Sequence, residues 1–212
     1  MGVDRAPARY DAALRRHVQA RLAAFLREAL PVGDRRPAAV AAVLLPDDED
    51  RAAFLLTRRA AGLRAHGGQW ALPGGRIDAG ETAPQAALRE LAEEVGLTLD
   101  ETAVLGSLDD YLTRSGFVVT PVVVWAGPVA ELRANPAEVA SIHRVPLADL
   151  DAPGVPRFLT VPERERPVVQ LPLLGTLIHA PTAAILYQLR EVVLHGRATR
   201  VRDLEEPVWK RR

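Results

Sequence analysis

Glu90, Glu93 and Glu94 crowd into five consecutive residues directly behind Arg89. At roughly 100° of rotation per helical residue, the three side chains fall within about a third of a turn of arc. Leu88, Leu91, Ala92 and Val95 fall on the opposite side. Like charges at these spacings repel by about a few tenths of a kcal/mol per pair on an exposed helix. They also sit in the C-terminal half, where the helix dipole disfavours anions. A divalent cation offsets both penalties, and hard carboxylate oxygens with no His or Cys nearby suit Mg²⁺ or Mn²⁺. The bland meaning of such a run is a solvated acidic face, and Glu93-Glu94 alone would carry no more. The surroundings change that weighting. Gly75, Glu81, Arg89-Glu90-Leu91, Glu93-Glu94 and Gly96-Leu97 fix nine positions over 23 residues. Chance assembly of such a pattern is below roughly one in a million per chain.

The helix that carries these carboxylates is bounded by its own sequence. Thr82-Ala83-Pro84-Gln85 has the form of a capping box with proline in the first turn. Gly96 suits the left-handed residue that ends a helix. The spacing predicts a helix over Thr82–Val95.

The segment resembles the Nudix box, Gly-x5-Glu-x7-Arg-Glu-U-x-Glu-Glu-x-Gly-U with U aliphatic, and meets every fixed position. The resemblance implies an α/β (α+β) fold, a mixed sheet sandwiched between helices, with the box as a loop–helix–loop. It implies hydrolysis of a nucleoside diphosphate linked to another group, with a water attacking phosphorus in line. It implies that Glu90, Glu93 and Glu94 hold Mg²⁺ or Mn²⁺, and that Arg89 orients the carboxylates by pairing with Glu81. Glu93 is the candidate to take the proton of the attacking water. Gly74 and Gly75 are expected to bring backbone N–H groups close to phosphate.

A second pattern precedes the box: Leu55-Leu56-Thr57-Arg58-Arg59-Ala60, then Arg64, Gly68 and Leu72-Pro73-Gly74-Gly75. It resembles the signature of the coenzyme A pyrophosphatase branch, departing where Leu72 stands for Phe. Val119-Thr120-Pro121-Val122-Val123 and Pro181-Thr182-Ala183-Ala184-Ile185-Leu186 resemble that branch too, although His179-Ala180 stands where Trp-Gly is common. The resemblance implies cleavage of coenzyme A or its derivatives to 4′-phosphopantetheine and adenosine 3′,5′-bisphosphate. Arg59, Arg64, His66 and Arg76 then become candidate substrate contacts beside Gly74 and Gly75, because guanidinium forks suit phosphate. Two further readings stay open. One is a Nudix diphosphatase for a nucleotide sugar, a dinucleotide or a nucleoside triphosphate, for which Trp70, Tyr111, Phe117 and Trp125 are the aromatics able to stack a base, although a core role is the first reading for each. The other is a non-catalytic Nudix module that senses a nucleotide. Asp109-Asp110 and Asp149–Asp151 read as local hydrogen-bonding aspartates rather than metal ligands.

The elements that must position these residues are legible in outline. Leu14, Val18, Leu22, Phe25 and Leu26 form a helical stripe within Tyr10–Leu30, free to pack on its own domain or on a second copy of the chain as a homodimer. Ala38–Leu45 and Ala53–Thr57 read as a hairpin around an acidic turn. Residues 58–81 read as loop with one short strand at Trp70–Leu72. Val104–Leu112, Val118–Trp125 and Ala140–Val145 read as strands. Residues 151–176 carry many prolines and suit short edge strands or a long loop. Pro181 opens a last helix. The organisation is an N-terminal helix and loop over 1–37, a catalytic domain over 38–196 and a charged tail over 197–212.

Composition removes several function classes. The chain has 212 residues with 27 basic and 27 acidic side chains, so it lacks the basic excess that general nucleic-acid binding needs. It has no cysteine, which excludes disulfides, thiolate nucleophiles and Cys-based metal sites. No run of 18 apolar residues exists and no secretory signal opens the chain, so membrane association is not expected and a cytoplasmic location is. The expected partner is a small nucleotide.

Overall fold

The computed structural model describes residues 9–63, 67–127, 131–160 and 166–206. Eight strands make one mixed sheet: β1 (Arg36–Pro46), β2 (Ala52–Arg59), β3 (Trp70–Ala71), β4 (Gly74–Arg76), β5 (Val104–Ser107), β6 (Tyr111–Leu112), β7 (Phe117–Trp125) and β8 (Val139–Pro146). Its central path runs β3-β2-β1-β7-β5, with β1 and β7 parallel and the other pairs antiparallel. β4 pairs with β1, β6 with β7 and β8 with β2. A second, three-stranded sheet has the order β11-β10-β9, from β9 (Arg157–Leu159), β10 (Val168–Leu173) and β11 (Thr176–His179). Among the described residues there are three α-helices, α1 (Ala12–Ala24), α2 (Ala83–Val95) and α3 (Thr182–Leu189), the last continued by a π-helical turn over Arg190–Leu194.

β1 reads as an unbroken apolar run because both of its faces are covered. Ala39, Ala41, Val43 and Leu45 point to the face that packs Ala87, Leu91 and Val95 of α2. Ala38, Ala42 and Leu44 point the other way, into a core shared with Leu14, Val18 and Leu22 of α1 and with Ile185 and Leu189 of α3. The period of two along β1 therefore divides the molecule into two apolar layers, with α2 alone on one side. Val201, from the far end of the chain, is buried in the α1–α3 layer as well.

Several expectations are corrected. α1 ends at Ala24 rather than near Pro31: Phe25 is extended (φ −85°, ψ 112°) and Leu26 is 80% exposed. Tertiary hydrogen bonds override the helical pattern there. Backbone N–H groups of Glu28 and Leu30 donate to the Asp109 and Asp110 carboxylates at 2.7 and 2.8 Å. The same two aspartates receive Arg200 and Arg27, which uses both carboxylates inside the structure. They also interrupt the expected strand Val104–Leu112, which forms β5 and β6 with a register shift between Val104 and Gly106. Tyr111 and Trp125 take the expected core role, with Trp125 stacked on Tyr10 at 3.8 Å between centroids. No helix among the described residues is long and apolar enough to cross a membrane.

Candidate active site

α2 begins and ends where its sequence says it should. The Thr82 side chain accepts from Gln85 N–H at 3.3 Å, and Thr82 N–H donates to the Gln85 side chain at 3.0 Å. Gly96 closes the helix at φ 70°, a conformation that L side chains avoid. Burial of Ala87, Leu91 and Val95 against β1 fixes the rotation of the helix about its axis. That rotation separates the three glutamates. The Glu94 side chain is 3% exposed, Glu90 13% and Glu93 55%. The three are therefore not equivalent members of one solvated face: Glu94 is a buried carboxylate and Glu93 stands at the rim.

The third member of the buried group comes from elsewhere in the chain. Carboxylate oxygens of Glu90, Glu94 and Glu138 lie within 4.8 Å of one another. Glu138 sits just before β8, where Ala60 N–H donates to its carbonyl at 2.8 Å. The pairing of Arg59 with Val139 across β2 and β8 brings it beside α2. Sequence reasoning missed Glu138 because no motif marks it. The available signal was an acidic residue at the opening of a strand.

Arg89 ties the exposed half of the site together. Its guanidinium donates to both oxygens of Glu81 (3.0 and 3.1 Å), to Glu90 (2.9 Å) and to the Arg76 carbonyl (2.9 Å). Glu93 lies 3.6 Å away. These bonds hold the Glu81 carboxyl below its ordinary range and the Arg89 guanidinium above its own. Burial acts oppositely on the inner pair. It raises Glu90 against the pull of Arg89, and it pushes Glu94 up to about 7 against the pull of Arg59. Arg59 stands 3.7 Å from Glu94.

Gly74 and Gly75 lie against this group for steric reasons. A Cβ on Gly75 would enter the Glu90 carboxylate, and one on Gly74 would collide with the backbone of Ala39 and Val40. Arg76 is exposed, 5.8 Å from the Phe117 centroid. Arg64 and His66 lie outside the described residues.

The donor set fits a hard divalent cation. Five carboxylates, from Glu81, Glu90, Glu93, Glu94 and Glu138, gather around two guanidinium groups, from Arg59 and Arg89. The carboxylates outnumber the guanidinium groups, and oxygen-only ligands favour Mg²⁺ or Mn²⁺. Beside the carboxylates opens a cavity of about 700 Å³. Arg58, Arg59, Trp70, Phe117, His179 and Thr182 are among the residues that line it, so Arg59 belongs to both places.

The chain matches known proteins over most of its length. The family model described as the NUDIX domain matches residues 35–169. A protein of Photorhabdus laumondii named as an uncharacterized Nudix hydrolase, NudL, is 40% identical over 157 residues, covering 72% of this chain and 84% of that protein. Nudix hydrolase 3 of Caenorhabditis elegans is 34% identical over 125 residues, 56% of this chain and 52% of that one. Among solved structures, a MutT/nudix family protein from Enterococcus faecalis superposes with a TM-score of 0.51 at 20% identity, covering 77% of this chain and 63% of that one. A NUDIX hydrolase from Alicyclobacillus acidocaldarius gives 0.50 at 19% identity, covering 78% and 94%. Both structural likenesses speak to the fold.

Proposed function

Because the chain belongs to the NUDIX domain family and is a Nudix hydrolase, we propose that it cuts the diphosphate of coenzyme A or its derivatives, releasing 4′-phosphopantetheine and adenosine 3′,5′-bisphosphate. The observation that carries this reading is Arg59. It belongs to the Leu55–Gly75 pattern that resembles the coenzyme A pyrophosphatase branch, it lies 3.7 Å from Glu94, and it lines the adjoining cavity. A guanidinium there can hold a diphosphate between the carboxylates and the cavity.

Each residue has a task in this reading. Glu90, Glu94 and Glu138 would hold Mg²⁺ or Mn²⁺, with Glu93 able to complete the set from the rim. The bound cation supplies neutralisation of diphosphate charge and a more acidic water. Arg89, locked on Glu81, keeps Glu90 turned inward. Glu93 accepts the proton as the water oxygen bonds to phosphorus and the bridging P–O bond breaks. Gly75 lets β4 lie against Glu90, and Arg76 reaches the phosphates from the mouth, with Arg64 and His66 as further substrate contacts from the segment between β2 and β3. The protein acts in the cytoplasm on a small nucleotide.

The test is a mass-resolved hydrolysis panel with Mg²⁺ and with Mn²⁺. It contains coenzyme A, acetyl-coenzyme A, NADH, ADP-ribose, a dinucleoside polyphosphate and the nucleoside triphosphates. Coenzyme A or its acetyl ester should have the highest kcat/KM. A faster reaction with any other compound rejects the coenzyme A reading and leaves the Nudix chemistry intact.

A further inference from the structure

Of the described residues that line the cavity beside the carboxylates, the two cationic ones stand at one end. Arg58 and Arg59 stand together at the end of β2 that faces Glu94. Among the other described lining residues the one charged side chain is Glu206, whose carboxylate accepts from Arg114 N–H at 3.0 Å. Val119, Leu177, Ile178 and Pro181 give an apolar wall, and Gln69, Thr113 and Thr182 give neutral polar groups. His179 does not alter this balance. Gln170 lies 3.3 Å from its Nδ1, and burial lowers its affinity for a proton, which favours the neutral imidazole. The aromatic rings are already engaged. Arg36 covers Phe117 at 3.9 Å from the centroid, and Trp70 packs edgewise on His143 at 4.8 Å.

We infer that this cavity takes the uncharged arm of the substrate, a chain of amides and methylenes such as the pantetheine part of coenzyme A, while the phosphorylated nucleoside remains outside. The inference rests on the coenzyme A reading above. A ribose 3′-phosphate carried past the two arginines would leave them for the wall of Val119, Leu177, Ile178 and Pro181, a costly environment for an anion. An amide chain meets the opposite conditions, with apolar contact along its length and neutral donors and acceptors for its few polar groups. Arg58 and Arg59, at the cavity's basic end, mark where the diphosphate must stop.

The experiment narrows the cavity from two exposed positions, Thr176 at the start of β11 and Ser115 in the turn before β7, with the variants T176W and S115W. Inhibition of coenzyme A hydrolysis by 4′-phosphopantetheine and by adenosine 3′,5′-bisphosphate is measured for each variant and for the unaltered protein. The expected result is a weakening of 4′-phosphopantetheine by at least about tenfold with adenosine 3′,5′-bisphosphate changed less than about twofold. KM for coenzyme A should rise by more than kcat falls. Two variants at different points guard against a folding defect in one, and thermal melting verifies each. Selective loss of adenosine 3′,5′-bisphosphate, or no change in either inhibitor, overturns the inference while coenzyme A cleavage stands. If the unaltered protein cuts another nucleotide and leaves coenzyme A intact, the coenzyme A reading falls and takes this inference with it.

Discussion

Replacing Glu94 by glutamine should stabilise the metal-free protein while abolishing turnover, and the two effects have one cause. The Glu94 side chain is 3% exposed, and burial lifts its carboxyl from 4.5 to about 7. A carboxyl raised in the folded state costs nothing below the unfolded value, where both states are protonated. Stability then falls as pH climbs from 4.5 through about 7, because the folded state must ionise a desolvated group. At about 1.36 kcal/mol per unit, the full cost above pH 7 is roughly 3 kcal/mol. Glutamine leaves Arg59 without its carboxylate, an opposing loss of about 1 kcal/mol. The net gain of roughly 2 kcal/mol should raise Tm by about 4–8 °C at pH 8 in chelator. The gain should shrink toward zero at pH 5, where wild-type Glu94 is already neutral. Melting curves followed by circular dichroism from pH 5 to 8, with chelator and with Mg²⁺, read this directly. Mg²⁺ should raise Tm of the wild type at pH 8 and leave E94Q nearly unmoved. A variant that melts at or below wild type at pH 8 without metal would refute the claim that this charge is held at a cost. More than about a tenth of wild-type kcat at saturating Mg²⁺ would refute its assignment as a ligand.

Arg89→Lys keeps the charge but loses the fork that bonds both oxygens of Glu81 and one of Glu90. It should lower kcat about 10- to 100-fold with a modest loss of Tm, measured by steady-state hydrolysis and melting. Gly75→Ala places a methyl group against the Glu90 carboxylate. Displacement of Glu90 should weaken Mg²⁺ activation by about tenfold or more, read as the Mg²⁺ concentration at half-maximal rate. Leu91→Ala empties a fully buried position between α2 and β1, and should cost about 2–4 kcal/mol in denaturant unfolding.

The legible parts of this protein are those whose information is local. α2 was bounded by Thr82, Gln85 and Gly96, and the structure gives it those ends, because caps act over three or four residues. The hairpin of β1 and β2 was legible for the same reason: an acidic turn joins two apolar runs. The end of α1 was not, because Glu28 and Leu30 bond to aspartates some eighty residues away. β4 was not, because its three residues Gly74–Arg76 carry no strand pattern and form a strand only by pairing with β1.

The site divides along the same line. Helical arithmetic put Glu90, Glu93 and Glu94 on one side of α2, which is correct as angle and incomplete as environment. Packing on β1 turns that side so that Glu94 faces inward beneath Gly74 and Glu93 outward. Glu138 replaces Glu93 as the third carboxylate of the close group, delivered by the register that sets Val139 beside Arg59. The same register explains why one arginine can serve two purposes. Arg59 is the last residue of β2, so it lies where the sheet edge meets both the carboxylates of α2 and the cavity bounded by β11. The register shifts between Arg58 and Arg59, and that irregularity sets Arg59 opposite Val139, next to Glu138. The chemistry of the box is therefore set by α2, and its connection to a substrate cavity by the pairing of β2 with β8.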